Sequence, residues 1–143
     1  MEIKKLNKLN LKQLTYLEQE LFLNPFSENS CLDELTNTSR LYLGLFNNNQ
    51  LIAYAGATTS FSDADIIKVG VLKSEQGKGY GKKILGALIS ALKENGITNI
   101  MLEVEHQNFK AINLYLGFGF KEISERKNYY GENSHAKIFK LEI

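Results

Sequence analysis

The first part of the chain shows an alternating apolar pattern followed by helical spacing. Residues 2–7 alternate and predict an edge strand, and residues 11–22 predict a helix that ends before Asn24-Pro25. Ser27 is a suitable N-cap for a second short helix. The residues expected to face inward from that helix are Cys31, Leu32 and Leu35.

Three consecutive strands are predicted next. Residues 40–46 and 51–59 are rich in strand-forming side chains, and the asparagine-rich turn at 47–50 favours a hairpin because asparagine tolerates a positive φ. A second turn at 60–65 leads into a strand at 66–72. We expect these strands to be antiparallel and to lead directly into a glycine-rich loop.

The second half of the chain is predicted to contain two more helices and three more strands. The first helix has one apolar face, made by Ile84, Leu85, Leu88, Ile89 and Leu92. It ends at the cap signal Asn95-Gly96. The other predicted elements are a strand at 98–105, a helix at 108–115, and strands at 119–127 and 135–142. The pattern therefore predicts one α/β domain with a mixed sheet.

Composition narrows the classes of protein. The 143 residues, 43% of them hydrophobic, suit one packed core, and 17 basic against 16 acidic residues argue against a general nucleic-acid binder. One cysteine excludes an internal disulfide, and with only two histidines we expect no metal site. The chain lacks a signal-peptide pattern and any apolar run of about 20 residues, so we expect a cytoplasmic protein without membrane contact.

The glycine-rich loop is the first candidate site. Gly77, Gly79 and Gly81 leave the entry to the following helix without side chains, so a ligand can approach its unpaired N–H groups. Four lysines surround this point: Lys73, Lys78, Lys82 and Lys83. The pattern indicates an anion site, with a pyrophosphate as first candidate. The alternative is a turn that needs glycine beside a solvated lysine face. The loop fits neither the Walker A nor the dinucleotide fingerprint, which argues against a nucleotide-binding domain.

Two motifs carry a family resemblance. The loop fits Q-x-x-G-x-G at Gln76, Gly79 and Gly81, and so resembles the acetyl-CoA loop of the GNAT family of N-acetyltransferases. A second hallmark of that family, L-x-V-x-x-x-N-x-x-A-x-x-L-Y-x-x-x-G-F, matches at Leu102, Val104, Asn108, Ala111, Leu114, Tyr115, Gly119 and Phe120. With Glu103 and the segments at 24–27 and 126–130, nearly the whole chain resembles the RimI-type branch, which acetylates the N-terminal alanine of a ribosomal protein.

The resemblance implies a GNAT-type fold and an acetyl-CoA site. The expected fold is a single domain at residues 1–143, with a mixed, mostly antiparallel sheet of about six or seven strands and about four helices. The strand before the loop is expected to splay from its neighbour and to bind acetyl-CoA through its backbone. The residues implied at the acetyl-CoA site are Val69, Gly70, Val71, Gln76, Gly77, Lys78, Gly79, Tyr80, Gly81, Lys82 and Asn108. Asn108 can equally be only a helix cap, and Lys82 only a solvated residue.

The same resemblance implies two catalytic residues. Glu103 is a carboxylate among apolar strand residues, and the family role for it is the general base, acting through water. Tyr115 is the implied proton donor to the coenzyme A thiolate. The alternatives are that Glu103 pairs with a basic side chain or faces solvent, and that Tyr115 is a core residue.

The resemblance implies that the acceptor is a protein N-terminal α-amine, that of a ribosomal protein in this branch, and that it attacks directly in a ternary complex. Phe26, Tyr129 and Tyr130 are candidate acceptor-binding residues. Phe26 stands where the branch usually has tryptophan, and Glu105 where it has arginine, so acceptor specificity can differ. The alternatives are an acetyltransferase for lysine, polyamine or antibiotic amines, and a non-catalytic acetyl-CoA-binding module. A monomer or weak dimer without direct nucleic-acid contact is expected.

Overall fold

A computed structural model describes residues 1–143 and contains seven strands and four α-helices. The strands are β1 (Glu2–Lys5), β2 (Arg40–Asn47), β3 (Gln50–Ser60), β4 (Asp63–Val71), β5 (Asn99–Glu105), β6 (Lys121–Gly131) and β7 (Ser134–Glu142). The helices are α1 (Leu11–Leu21), α2 (Glu28–Thr36), α3 (Tyr80–Glu94) and α4 (Phe109–Gly117). Short 3₁₀ turns lie at Lys8–Asn10 and Lys73–Glu75.

All seven strands belong to one sheet in the order β1-β2-β3-β4-β5-β7-β6. Every neighbouring pair is antiparallel except β4 and β5, which are parallel. The parallel ladder joins only residues 63–65 to residues 99–101, after which the two strands separate. The expected mixed, mostly antiparallel sheet is therefore confirmed, and it has a gap near its centre.

Helices cover both faces of the sheet. On one face α3 and α4 pack over β2 to β5, with the α3 residues Ile84, Leu85, Leu88 and Leu92 fully buried in the larger core cluster. On the other face α1 and α2 pack over β2 to β4 around a smaller cluster that contains Leu14, Leu17 and Cys31. No helix combines the length and apolarity needed to cross a bilayer.

The turn and cap residues behave as their chemistry predicts. The Ser27 hydroxyl accepts a hydrogen bond from the Ser30 N–H at 3.1 Å and begins α2. Asn48 and Asn49 both have positive φ, 49° and 68°, which is the conformation of a two-residue hairpin turn. Gly96 ends α3 with a φ of 85°.

Two local predictions were wrong. Leu32 does not face inward, because it lies on the solvent side of α2 with 37% of its surface exposed. The strand expected at 66–72 begins earlier, at Asp63, since the preceding turn consists of Phe61 and Ser62 alone. The polar turn predicted at 60–65 therefore includes three strand residues, in which the exposed Asp63 and Asp65 alternate with the buried Ala64.

We predict that Gly56→Ala destabilises the fold. A Cβ at Gly56 would lie 2.2 Å from Cε1 of Tyr42, whose hydroxyl is held by a 2.6 Å hydrogen bond to Glu34. The ring therefore cannot move away freely, and overpacking of this kind lowers the free energy of unfolding by about 1–3 kcal/mol. Urea denaturation should show a lower midpoint at an unchanged m-value.

Gly117→Ala is the matched control, because a Cβ there meets nothing within 4 Å. Its free energy of unfolding should equal that of the wild type or exceed it slightly, since alanine favours the helix. Equal stability of the two variants would contradict the packing argument.

Candidate active site

A first cleft of about 580 Å³ lies between the end of β4, the start of α3, and α4. It collects most of the residues implied at the acetyl-CoA site, together with the implied proton donor. Those residues are Val69, Val71, Gln76, Gly77, Gly79, Tyr80, Gly81, Lys82, Asn108 and Tyr115. Segments far apart in sequence therefore line one continuous cleft.

The loop before α3 has the geometry of an anion site. Gly77 and Gly79 have φ values of 80° and 84°, and a Cβ at either would meet nothing within 4 Å, so conformation rather than crowding requires glycine there. Gly79 is the N-cap, and the first N–H groups of the 15-residue helix have no partner within it. The Gln76 amide donates to the Val71 carbonyl at 2.9 Å and attaches the loop to the strand end.

The gap between β4 and β5 leaves backbone groups available to a ligand. The Leu72 N–H points to β3, where it donates to the Ile52 carbonyl at 2.8 Å. Because successive residues in a strand direct their backbone groups to alternate sides, those of Val69 and Val71 point away from β3 and into the gap. This agrees with the splayed strand that the resemblance implied.

Two residues implied at the acetyl-CoA site lie elsewhere. A Cβ at Gly70 would lie 3.0 Å from Cδ1 of Leu21, so this glycine allows close packing of α1 against the sheet. Lys78 is exposed and forms an ion pair with Glu75 at 2.9 Å. Neither side-chain position contributes to the wall of the first cleft.

A second cleft of about 540 Å³ contains Glu103 and Tyr130. Glu103 points away from α3 and α4, since its neighbours Leu102 and Val104 are buried in the core on that face. Its carboxylate lies 3.7 Å from the Arg126 guanidinium, with 35% of the side chain exposed. Glu103 therefore has both a basic neighbour and access to the cleft.

Tyr130 connects the two clefts electrostatically. Burial, and secondarily the nearby Tyr130, raises the pKa of the Tyr115 hydroxyl above its ordinary value. The pKa of Tyr130 is itself raised, by burial and then by the charge of Glu103. Both phenols therefore remain protonated near neutral pH, and the hydroxyl of Tyr115 is available as a hydrogen-bond or proton donor.

The remaining acceptor-binding candidates lie beside the second cleft and not in its wall. Phe26 lies in the connection between α1 and α2, with its ring 3.7 Å from the Lys68 ammonium. The Tyr129 ring packs edge-to-face on the Tyr130 ring, with 5.1 Å between the ring centroids. The Arg126 guanidinium lies 5.3 Å from the centroid of the Tyr129 ring.

Several wall residues were not identified as site residues from the sequence. In the first cleft these are Glu75, Lys110, Ala111, Asn113 and Leu114. The α4 members follow Asn108 at helical spacing, and this could have identified the helix face that meets the loop. In the second cleft they include Asp65 and Met101, which come together only because β4 and β5 pair in register there.

The comparisons with known proteins agree with this geometry. Residues 4–120 match the model of a family described as Acetyltransferase (GNAT) family. A relative from Haemophilus influenzae, named [ribosomal protein bS18]-alanine N-acetyltransferase, is 36% identical over 135 residues, which are 94% of this chain and 91% of that protein.

Two solved structures have the same fold as this chain. The ribosomal-protein-S18-alanine N-acetyltransferase from Escherichia coli superposes with a TM-score of 0.93 at 29% identity, over 99% of this chain and 93% of that one. The aminoglycoside 6'-N-acetyltransferase from Enterococcus faecium superposes with a TM-score of 0.86 at 14% identity, over 99% and 97%, and so shares the fold alone. On the family match, the relatives and the fold, the chain belongs to the GNAT family of acetyltransferases.

Proposed function

We propose that the protein transfers the acetyl group of acetyl-CoA to the N-terminal alanine of a ribosomal protein. The observation that carries the proposal is the 36% identity, across 94% of the chain, to a relative named for that reaction. A ribosomal acceptor would place the reaction in the cytoplasm.

The first cleft supports a site for acetyl-CoA. The unpaired N–H groups at the start of α3 and the side chains of Lys82 and Lys110 offer positive charge to a pyrophosphate. The backbone of Val69 and the N–H of Val71, open to the gap, can hydrogen-bond the amides of the pantetheine arm, while the Val71 carbonyl is held by Gln76. Asn108 caps α4 by accepting from the Ala111 N–H at 3.2 Å, and its amide nitrogen remains free to contact the same substrate.

The second cleft supports a site for the acceptor amine. Glu103 lines it and is assigned as the general base, through a water molecule. An α-amine has a pKa of about 7.7–8.0, against about 10.4 for lysine, so a modest base suffices to supply its neutral form near neutral pH. Tyr130 is assigned to the wall that receives the N-terminal peptide, and the adjacent Tyr129 packs edge-to-face on its ring.

In the proposed transfer step, the acceptor amine in the second cleft attacks the acetyl group of acetyl-CoA bound in the first cleft. The nitrogen lone pair attacks the acetyl carbonyl carbon, a C–N bond forms, and the C–S bond breaks with its electrons moving to sulfur. Glu103 takes the proton that the nitrogen loses. Tyr115, whose pKa is raised by burial, supplies a proton to the departing thiolate. Cys31, a residue of α2, is buried in the smaller core cluster and lines neither cleft, so it takes no part as a nucleophile.

Acceptor choice is the direct test. We predict release of coenzyme A when acetyl-CoA is mixed with a short peptide that begins with a free alanine, measured by thiol titration. The same peptide with a blocked N-terminus and an internal lysine should give no turnover, since its amine is protonated. Turnover on lysine, spermidine or an aminoglycoside alone would reject the proposed acceptor, and acetyl-CoA binding without any turnover would indicate a binding module.

Glu103→Gln and Tyr115→Phe should each lower kcat by about 10- to 1000-fold, because each removes one proton-transfer group. The dissociation constant for acetyl-CoA should stay within about twofold of wild type. Steady-state kinetics with the alanine peptide and calorimetric titration provide the two readouts.

Glu142→Gln and Tyr16→Phe are the matched controls, since both residues are exposed and lie outside the two clefts. A kcat equal to that of the wild type in both Glu103→Gln and Tyr115→Phe would contradict the proposed mechanism.

Gly79→Ala should weaken coenzyme A binding by about 5- to 30-fold, since alanine at this positive φ is strained by about 1–2 kcal/mol and shifts the loop. Isothermal titration with coenzyme A measures the change. Gly86→Ala, in the same helix, is the control because its Cβ would make only an ordinary 3.5 Å contact with Phe118. An unchanged dissociation constant in Gly79→Ala would argue against the helix start as the phosphate site.

A further inference from the structure

The fold buries one carboxylate that neither cleft uses. Glu18, in α1, is fully inaccessible to solvent. Its Oε1 lies 2.6 Å from the Lys68 ammonium and accepts the Phe26 N–H at 2.8 Å, while its Oε2 accepts the Tyr54 hydroxyl. A buried charge is unfavourable unless it is paired and fully hydrogen-bonded, and here donors from β3, β4 and the connection after α1 meet that need.

A β-bulge directs Lys68 to this carboxylate. Ala57 pairs with Ile66 and Gly56 with Lys68, which leaves Ile67 as an extra residue in β4. The extra residue turns Lys68 toward α1, while Val69 packs against the core on the α3 face. The bulge lies immediately beyond the last residue at which β4 pairs with β5.

Lys68 also contacts the irregular connection between α1 and α2, residues 22–27. Its ammonium lies 3.7 Å from the Phe26 ring centroid and 4.5 Å from that of Phe22, within range of cation–π attraction. Only 17% of the Lys68 side chain is exposed, so water weakens these contacts little. One lysine on a rigid strand therefore holds both ends of a segment without regular structure.

This connection adjoins the second cleft through Ile67. The smaller core cluster is contacted by Ile67 as well as by Phe22 and Phe26, and Ile67 also lines the cleft that holds Glu103. A shift of the connection would therefore move a wall of that cleft. The first cleft shares no residue with this contact set, so its ligand should be unaffected.

We propose that Lys68 is a positioning residue that fixes the 22–27 connection against the second cleft and thereby sets the affinity for the acceptor. The inference rests on the proposed function in taking the second cleft as the acceptor site. Lys68 touches neither reacting atom, and it acts through Phe22, Phe26 and Ile67.

The test combines hydrogen exchange with kinetics on Lys68→Met, which keeps the length of the side chain and removes its charge. Amide exchange at residues 22–27 should accelerate at least about tenfold while exchange within α3 stays unchanged. The KM for the alanine peptide should rise about tenfold, with kcat and the KM for acetyl-CoA within about twofold of wild type. Lys68→Arg, which keeps the charge, should restore the peptide KM to within about threefold.

Lys137→Met is the matched control, because Lys137 forms an exposed ion pair with Glu122 at 2.8 Å between β7 and β6. It should change neither readout. A merely structural role for Lys68 would lower the melting temperature and the active fraction, and so kcat, without altering the peptide KM. That result, or unchanged exchange at 22–27, would overturn the proposal.

Two further outcomes remain decisive. If Lys68→Met does not fold, the double variant Glu18→Gln/Lys68→Met removes both charges and is read in the same way. Its amide oxygen can accept the Phe26 N–H, and its amide nitrogen can donate to the Tyr54 hydroxyl oxygen. If the wild type does not acetylate the alanine peptide, the proposed function fails by itself. The exchange readout and the KM for whichever amine the acceptor panel identifies then decide the role of Lys68.

Discussion

The separation of β4 from β5 is the constraint on which the site depends. The two strands pair over residues 63–65 and 99–101 only, and a longer ladder would have closed the sheet and used the backbone groups of Val69 and Val71. The first cleft lies on the α3 and α4 face of the sheet, and the second lies on the side to which Glu103 points. A parallel pair that stops early also needs support from its outer neighbours, which β3 and β7 supply with antiparallel ladders along the full length of β4 and β5.

The two clefts have different electrostatic character. The first gathers a helix start and lysine side chains and so favours phosphate, while the second is lined by the acidic Glu103 and Asp65 and by one basic residue, Arg126. Under the proposed function, two substrates of different charge would enter from opposite faces of the sheet. The phenols of Tyr115 and Tyr130 line the first and second cleft respectively and are neutral near pH 7, so they add no net charge to either.

Much of the fold and of the first cleft was predictable because it depends on local chemistry. Glycine at positive φ, Ser27 and Asn108 at helix caps, and apolar spacing in α3 each follow from a few neighbouring residues. The second cleft was less accessible, since Asp65, Met101 and Arg126 meet only through strand register. The ion pair of Glu18 with Lys68 could not be predicted from the sequence either. The bulge at Ile67 determines which way Lys68 points, and no residue type is specific to a bulge.

The edge strand β6 has a further consequence for how such a protein can change over time. All eleven residues of β6 are exposed, and its register with β7 is interrupted between Arg126 and Gly131, where Tyr129 and Tyr130 lie. Substitutions at exposed positions usually alter the free energy of unfolding by only about 0.5 kcal/mol. One wall of the second cleft can therefore diverge with little effect on folding, whereas the loop of the first cleft needs glycine at the positive φ of Gly77 and Gly79. Descendants of one ancestor can in this way keep their donor and exchange their acceptor.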